Sequence, residues 1–221
     1  MSSRVAYGRI GMTVVLDITM SLDGFVAGPN QTLEDPLGAG GMQLHEWIFS
    51  LASWRAAHGM DGGERNADDE RLARSLERVG AQVMGRRMFS GGSGPWDGDP
   101  NATGWWGDDP PFRVPVFVVT HHAREPEQYA NGTEFVFVAS VEEAVALARE
   151  AAGDKDVRVA GGAEVAAECL RAGLLERIDL HVAPVLLGGG VRLFEGVDLT
   201  RLELVETASS PAVAHLVYRV T

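Results

Sequence analysis

The chain predicts an α/β fold: a mainly parallel central sheet with an antiparallel edge and helices packed against it. Two patterns carry that prediction. Short runs rich in β-branched and apolar residues alternate with segments of helical periodicity from Asp68 to Leu187. The last two strand runs, Leu202 to Glu206 and Val213 to Val220, then follow one another with only Ser209-Ser210-Pro211 between them. Composition sets the scale, since 45% hydrophobic and 23% charged residues suffice for one sizeable core without disulfide or metal support. Nothing divides the chain into halves, so residues 12–221 read as a single domain and residues 1–11 as a flexible polar N-terminal extension. A formal net charge of −12 disfavours partners such as nucleic acid or an anionic membrane and leaves small molecules as the expected ones. Cys169 has no partner for an intrachain disulfide, and its place among helical alanines reads as a buried, inert thiol. No stretch suits a signal peptide or a membrane span, so the expected location is cytoplasmic.

Thr13 to Met20 is the first strand, and Asp23-Gly24 is its turn. Alternation places Asp17, Thr19 and Ser21 on one face. An acid in mid-strand is expensive to bury alone, so Asp17 marks either a ligand site or an ion pair with an arginine. Gly28 to Gly41 reads as a long surface loop able to cover a ligand. Leu44, Trp47, Ile48 and Leu51 recur at helical spacing, with His45, Glu46 and Arg55 off that stripe. After a loop at Gly59 to Gly63, Asp68, Asp69 and Glu70 open a helix that carries Leu72, Leu76 and Val79. Arg78 sits in its last turn and Gly80 just past it.

A short strand, Ala81 to Met84, runs into Gly85-Arg86-Arg87. Guanidinium forks match phosphate oxygens, so two arginines after a strand-end glycine suit an anion site, although surface charge is the plainer reading. Ser90 to Pro111 is an irregular loop whose tryptophans, Trp96, Trp105 and Trp106, are either local core plugs or ligand stackers. Val114 to Thr120 is a buried strand followed by His121, His122 and Arg124. Glu134 to Val138 is a strand, and Ser140 with Glu143 forms a capping box ahead of Val141, Ala144, Val145 and Ala148, with Gly153 as the stop. Val157 to Ala160 then meets Gly161-Gly162, a helix from Glu164 to Ala172 and a strand from Ile178 to Leu187. The glycine pair allows either a tight turn or the close approach of a phosphate to the next helix's first N–H groups.

Four segments, taken in order, resemble the dihydrofolate-reductase-like superfamily, in particular the group related to the C-terminal reductase domain of the bacterial riboflavin biosynthesis deaminase-reductase. They are MSLDGFVAG from Met20, MGRRMF from Met84, VFVVTHHAREP from Val116, and AGGAEVAAECL with LHVAPVLLGGGVRLF through Phe194. The resemblance spans nearly everything from Met12 onward. It implies a central mixed, mostly parallel sheet of about eight strands flanked by helices, with NADPH bound across the strand ends. By position, Thr19, Val26, Ala27 and Gly28 would contact the nicotinamide half. Gly85, Arg86 and Arg87 would hold phosphates. Thr120, His121, His122 and Arg124 would surround the adenosine 2′-phosphate, and Gly161, Gly162, Ala163, Glu164 and Val165 would meet the pyrophosphate. So many cationic groups favour NADPH over NADH.

The substrate side departs from the pattern. Dihydrofolate reductases carry a carboxylate on the first helix, which Glu46 matches only loosely, and riboflavin reductases carry a lysine on the first strand where this chain has Asp17. The deaminase domain that accompanies many of the latter has no counterpart here. The PLGAGGMQLHEW and GWWGDDPPF loops resemble stand-alone members described only as dihydrofolate reductase family proteins.

The expected activity is therefore an NADPH-dependent oxidoreductase that transfers hydride to a C=N or C=O bond of a small, flat, heterocyclic substrate. Asp17 is the first choice for the proton source or electrostatic partner, and His45 or Glu46 the second. Trp47 or Trp106 would form a stacking wall. Dihydrofolate or dihydropteridine reduction is an alternative, as is a nucleotide-binding protein without turnover. Metal is not expected, because no carboxylate–histidine cluster has ligand spacing. A homodimer is expected from the relatives, though no interface follows from the residues.

Overall fold

The computed structural model describes residues 11–221, so the expected extension lies outside them apart from Gly11. Its elements run β1 (Val14–Ser21), β2 (Phe25–Ala27), a 3-10 turn (Gly41–His45), α1 (Glu46–Phe49), α2 (Ala52–Ala57), α3 (Ala67–Arg78), β3 (Val79–Gly85) and α4 (Arg86–Ser90). There follow β4 (Pro115–Val119), β5 (Glu127–Gln128), β6 (Glu134–Val138), α5 (Val141–Ala152), β7 (Asp156–Gly161), α6 (Ala163–Arg171), β8 (Arg177–Ala183), β9 (Val191–Arg192), β10 (Leu202–Ser209) and β11 (Ala214–Val220).

Nine strands form one sheet in the order β10-β11-β8-β1-β7-β3-β4-β6-β5. The run from β8 to β6 is parallel, while β11 and β10 at one edge and β5 at the other are antiparallel. The eight expected strands are all present and β5 is the ninth; β2 and β9 form a separate ribbon. The central strands read as apolar runs because both their faces are covered. Val14, Leu16, Val83, Val157 and Val159 are sealed against helices α5 and α6 through Ala144, Val145, Ala148, Ala166 and Cys169. The opposite face carries α1 to α3, where Trp47, Leu51 and Leu72 meet Val213. Alternation along β1 splits the two faces: Leu16 joins the first cluster, while Asp17 and Thr19 turn toward Ser75 and Trp47.

Helix ends follow their capping residues. Asn66 accepts from the Asp69 amide at 3.0 Å, and Ser140 accepts from the Glu143 amide at 3.2 Å. The Glu143 carboxylate reaches back to the Ala139 amide, one residue before the cap.

Three expectations need correction. The helix read from Leu44 to Leu51 and beyond is broken into the 3-10 turn, α1 and α2, because residues near Glu64 return to the break. Ser50 accepts from the Glu64 amide at 2.8 Å, and the Glu64 carbonyl accepts from the Ala52 amide at 2.9 Å. Chain passes directly from α3 into β3, so Val79 and Gly80 are strand rather than helix and stop. β8 ends at Ala183 instead of Leu187, since Pro184 has no amide proton to continue the ladder. Cys169 is buried, and burial pushes its thiol up to about 12, which makes it inert. Among the described residues, no helix is long and apolar enough to cross a membrane.

Leu16 is fully buried between β7 and β8, whereas Leu199 is 99% exposed. Leu16→Ala is expected to lower the unfolding free energy by about 2–5 kcal/mol, and Leu199→Ala to change it by no more than about 0.5 kcal/mol. Urea denaturation of the two variants measures this; equal effects contradict the assigned core.

Candidate functional site

Strand register gathers the glycines at one edge of the sheet. Gly85 pairs with Val119, and Met84 pairs with Gly161. A Cβ on Gly161 would lie 3.0 Å from Ile18 Cδ1, so the end of β1 stands at the same level. Thr19, Gly161-Gly162, Gly85 and Thr120 thus share one rim, where α6 begins. Gly162 offers no side-chain cap to α6, whose first intrahelical bond runs from the Ala166 amide to the Gly162 carbonyl at 3.0 Å. The amides of Ala163, Glu164 and Val165 therefore have no acceptor within the helix. Space beside Gly162 is open, with nothing within 4 Å of a Cβ placed there. Three N–H groups without an intrahelical acceptor at a positive helix end, reachable past a residue with no side chain, fit an anionic group.

Not every predicted cation faces this rim. Arg86 is buried: its Nη2 donates to Asp99 Oδ2 at 2.5 Å, and its guanidinium lies 3.7 Å from the centre of the Trp96 ring. Burial works against ionisation of Asp99, but Arg86, the Asn101 amide and the Ser90 hydroxyl together hold its pKa below the ordinary range. Arg124 donates to the Ala102 carbonyl and pairs with Glu127, and it lies over Trp96 from 4.8 Å. Arg124 thus braces the 90–111 loop, whereas Arg86 braces it through Nη2 alone and keeps Nε and Nη1 buried without a hydrogen-bond partner, donors that a phosphate would satisfy. Trp96 Nε1 ties that loop to the His122 carbonyl at 2.8 Å. Arg87 and His121 remain exposed, and His122 is half-buried. Thr120 is buried, and its hydroxyl accepts from the His122 amide at 3.1 Å.

Trp106 packs on Phe112 at 4.8 Å beside the cluster around Phe89 and Phe135, partly buried and with its Nε1 lacking a hydrogen-bond partner. One further assignment changes. Gly28 has its amide committed to the Leu37 carbonyl at 2.7 Å, and a Cβ on it would fall 2.1 Å from the Ala39 carbonyl oxygen. That glycine closes the 28–41 loop and does not present an amide to a ligand. Val26 and Ala27 lie in the β2–β9 ribbon.

On the other face of β1, Asp17 is buried. Ser75 donates to it at 2.9 Å, His181 Nε2 stands 3.1 Å away and Arg158 Nε 3.5 Å away. Burial alone would raise its pKa, yet Arg158, His181 and Ser75 together hold it far below the carboxylate range. Asp17 is therefore fixed as a carboxylate, which corrects its candidacy as a proton source and leaves an electrostatic role. His181 Nδ1 lies 2.7 Å from His215 Nδ1, and His215 Nε2 lies 3.0 Å from Asp68 Oδ1. Trp47 covers both imidazoles with ring centres 5.1 and 5.4 Å away, and its Nε1 donates to the Thr19 hydroxyl at 3.3 Å. Beside it a cleft of about 430 Å³ opens between α1, the start of α3 and Pro184-Val185, with Glu46, Glu64 and Asp68 in its wall. His45 is outside that wall, and burial pushes its imidazole pKa down.

The sequence reading did not single out Asp68, Ser75, Arg158, His181 or His215. The available signal was Asp17 itself: a mid-strand acid demands partners, and His181 is a polar residue inside a predicted strand.

The nine-stranded, mostly parallel sheet with its antiparallel edge matches the dihydrofolate-reductase-like fold of the RibD reductases. The chain belongs to the RibD C-terminal domain family, whose model matches residues 12–216. Solved structures share the fold at low identity. A putative riboflavin biosynthesis protein from Shewanella sp. PV-4 is 22% identical, with a TM-score of 0.62 over 95% of this chain and 99% of its own. The Saccharomyces riboflavin biosynthesis reductase Rib7 is 13% identical, with a TM-score of 0.52 over 100% of this chain and 94% of its own. A Thermotoga maritima diaminohydroxyphosphoribosylaminopyrimidine deaminase/5-amino-6-(5-phosphoribosylamino)uracil reductase is 15% identical, with a TM-score of 0.54, and is matched over only 57% of its length. No curated protein matches the chain.

The carboxylates give a pH signature. Asp17 is depressed, and Asp23 is lowered to about 2, chiefly by the Ser21 hydroxyl, against the effect of burial, with further help from the Gly188 and Leu187 amides. A folded pKa below the unfolded one stabilises fully above the unfolded value of about 4, and that stability is lost as pH falls. Urea midpoints are expected to begin falling as pH drops through about 6.5, because the depressed imidazoles of His45 and His215 favour the unfolded state once it is protonated, and to drop further below about pH 4. Asp17→Asn should lower the neutral midpoint and flatten the acid limb; an acid limb of unchanged slope contradicts the pairing of Asp17.

Proposed function

We propose that this protein is an NADPH-dependent reductase that delivers hydride to a C=N or C=O bond of a small pyrimidine-like heterocycle. The observation that carries the reading is the α6 N-terminus, with three amides free of intrahelical acceptors behind the open Gly162 at the rim of a RibD-type sheet. When bound, the cofactor supplies the hydride. The protein's part is binding, orientation and charge. Amides of Ala163, Glu164 and Val165 would hold the pyrophosphate, with Arg87, His121 and His122 left to meet the 2′-phosphate. Arg124 acts at one remove, by fixing Trp96 and its loop, while Arg86 would offer its unpartnered Nε and Nη1 to a phosphate.

Substrate would enter the cleft under Trp47, near Thr19 at the end of β1. Glu46, Glu64 and Asp68 make that wall acidic, which suits a ring bearing amino and N–H donors. Trp47 excludes water from the buried imidazoles behind it. Glu46 on the wall also keeps a dihydropteridine in view as a second acceptor. A homodimer is supported by the edge strand β10, which exposes Leu202 and Leu204 beside Leu199.

Calorimetric titration with NADPH and NADH tests the cofactor reading. NADPH should bind more tightly, and Arg87→Ala should erode that preference without lowering the melting temperature; no binding of either dinucleotide removes the reading. NADPH oxidation is then followed with 5-amino-6-(5-phosphoribosylamino)uracil and with a dihydropterin, and the acceptor that supports turnover fixes the substrate class. Sedimentation is expected to give a dimer that Leu204→Arg dissociates; a monomer at all concentrations sinks the interface.

A further inference from the structure

His181 on β8 and His215 on β11 face each other across paired strands, and together with two acids they form an unbroken row that is buried except for the partly exposed His181. From one end it runs Asp17 Oδ1, His181 Nε2 at 3.1 Å, His181 Nδ1 to His215 Nδ1 at 2.7 Å, then His215 Nε2 to Asp68 Oδ1 at 3.0 Å. Three consecutive hydrogen bonds need three protons. Two neutral imidazoles hold two, and two carboxylates hold none. Without a third proton one contact must set lone pair against lone pair. If both Nε2–H groups point at the acids, that contact is the 2.7 Å N–N pair; if one ring exchanges tautomer, it is an imidazole nitrogen against a carboxylate oxygen. Facing lone pairs in a buried site repel and are uncompensated, so the geometry calls for the third proton.

The surroundings decide where that proton can sit. Asp17 is disfavoured because Arg158 on β7 and Ser75 on α3 both engage its Oδ2. Asp179, next to Asp17 across the β1–β8 pair, is itself held by Arg177 at 2.9 Å. Arg71 on α3, paired with Glu206 on β10, faces His215 from the other side. Thr19 and Trp47 complete the wall and bring no titratable group. The proton is therefore shared between the two imidazoles and Asp68. Burial pushes the His215 imidazole down, with help from the charges of His181 and Arg71, while Asp68 opposes them; a proton held there is readily released.

We propose that Asp17, His181, His215 and Asp68 form one relay that stores a single proton and exchanges it with the Trp47 cleft through Asp68, the member that lines the cleft. The delivery step rests on the reductase reading above. As hydride reaches the carbon of a C=N or C=O bond, the π electron pair moves to nitrogen or oxygen. The relay proton passes to that atom, the relay falls from three protons to two, and water at the cleft mouth restores the third. His181, His215 and Asp17 are positioning residues here, with Asp68 as the donor end.

Nitrogen-15 NMR of histidine-labelled protein without cofactor or substrate tests storage. The expected result is one strongly deshielded proton shared by the two Nδ1 atoms and a single coupled release step for the pair within about pH 5–9. Two Nδ1 atoms that stay unprotonated across that range overturn the proposal. Asp68→Asn is expected to slow exchange of this proton with water roughly a hundredfold, read by saturation transfer, and unchanged exchange refutes Asp68 as the exit. His215→Gln provides the control, since it removes one of the two Nδ1 atoms; a shared-proton signal that survives it also overturns the relay. In turnover of NADPH with 5-amino-6-(5-phosphoribosylamino)uracil or a dihydropterin, Asp68→Asn should lower kcat more than it raises KM and remove the alkaline fall in the pH profile. An unaltered profile refutes delivery alone. No turnover by the wild-type protein refutes delivery together with the reductase reading, while storage stands or falls on the spectra.

Discussion

A carboxylate in the middle of the central strand governs this structure. Ionised and buried, Asp17 carries a desolvation penalty of several kcal/mol that only close partners offset. Those partners come from three elements: Ser75 from α3, Arg158 from β7 and His181 from β8. His181 hands the requirement on to His215 on β11, and His215 to Asp68 at the start of α3. Satisfying one charge thus clamps α3 to the sheet at two points, Ser75 and Asp68, and fixes Trp47 over the imidazoles between them. The cleft is what remains between this clamp and the Pro184-Val185 turn.

The opposite side of β1 answers a different requirement. Parallel strands leave their carboxyl ends level with one another, and a chain that must turn there into helices does so through Gly85 and Gly161-Gly162. Open space and amides without intrahelical acceptors result at α6, whereas the neighbouring cations are divided. Arg86 and Arg124 both lie over Trp96 beside the long loop, Arg86 with Nε and Nη1 unpartnered, while Arg87 and His121 are exposed. A dinucleotide on this rim would meet a wall braced by Arg124 and be contacted by Arg86, Arg87 and His121. The proposed reductase thus has its cofactor rim and its proton-bearing face on either side of one strand, with Thr19 near both.

Much of the fold was legible because its signals are local. Val83 and Val159 sit in apolar runs, and Ser140 with Glu143 announces α5 three residues ahead. What escaped depends on contacts distant in sequence. Nothing near Leu51 says that Glu64 returns to break its helix, and nothing near Arg86 says that Asp99 will bury it. His181 and His215 become neighbours only once β8 and β11 pair, 34 residues apart along the chain. Alternation did put Asp17 and Thr19 on one face, and the prior for a mid-strand acid named an ion pair with arginine, which Arg158 supplies. The site was thus read correctly in its need for partners and incompletely in who they are.

The most direct test of the account is a crystal structure of the protein with NADPH bound. The account predicts pyrophosphate oxygens within hydrogen-bonding distance of the Ala163, Glu164 and Val165 amides, and the nicotinamide ring directed along the rim toward Thr19 and the Trp47 cleft. A dinucleotide that avoids the α6 terminus, or a nicotinamide pointing away from that cleft, contradicts it.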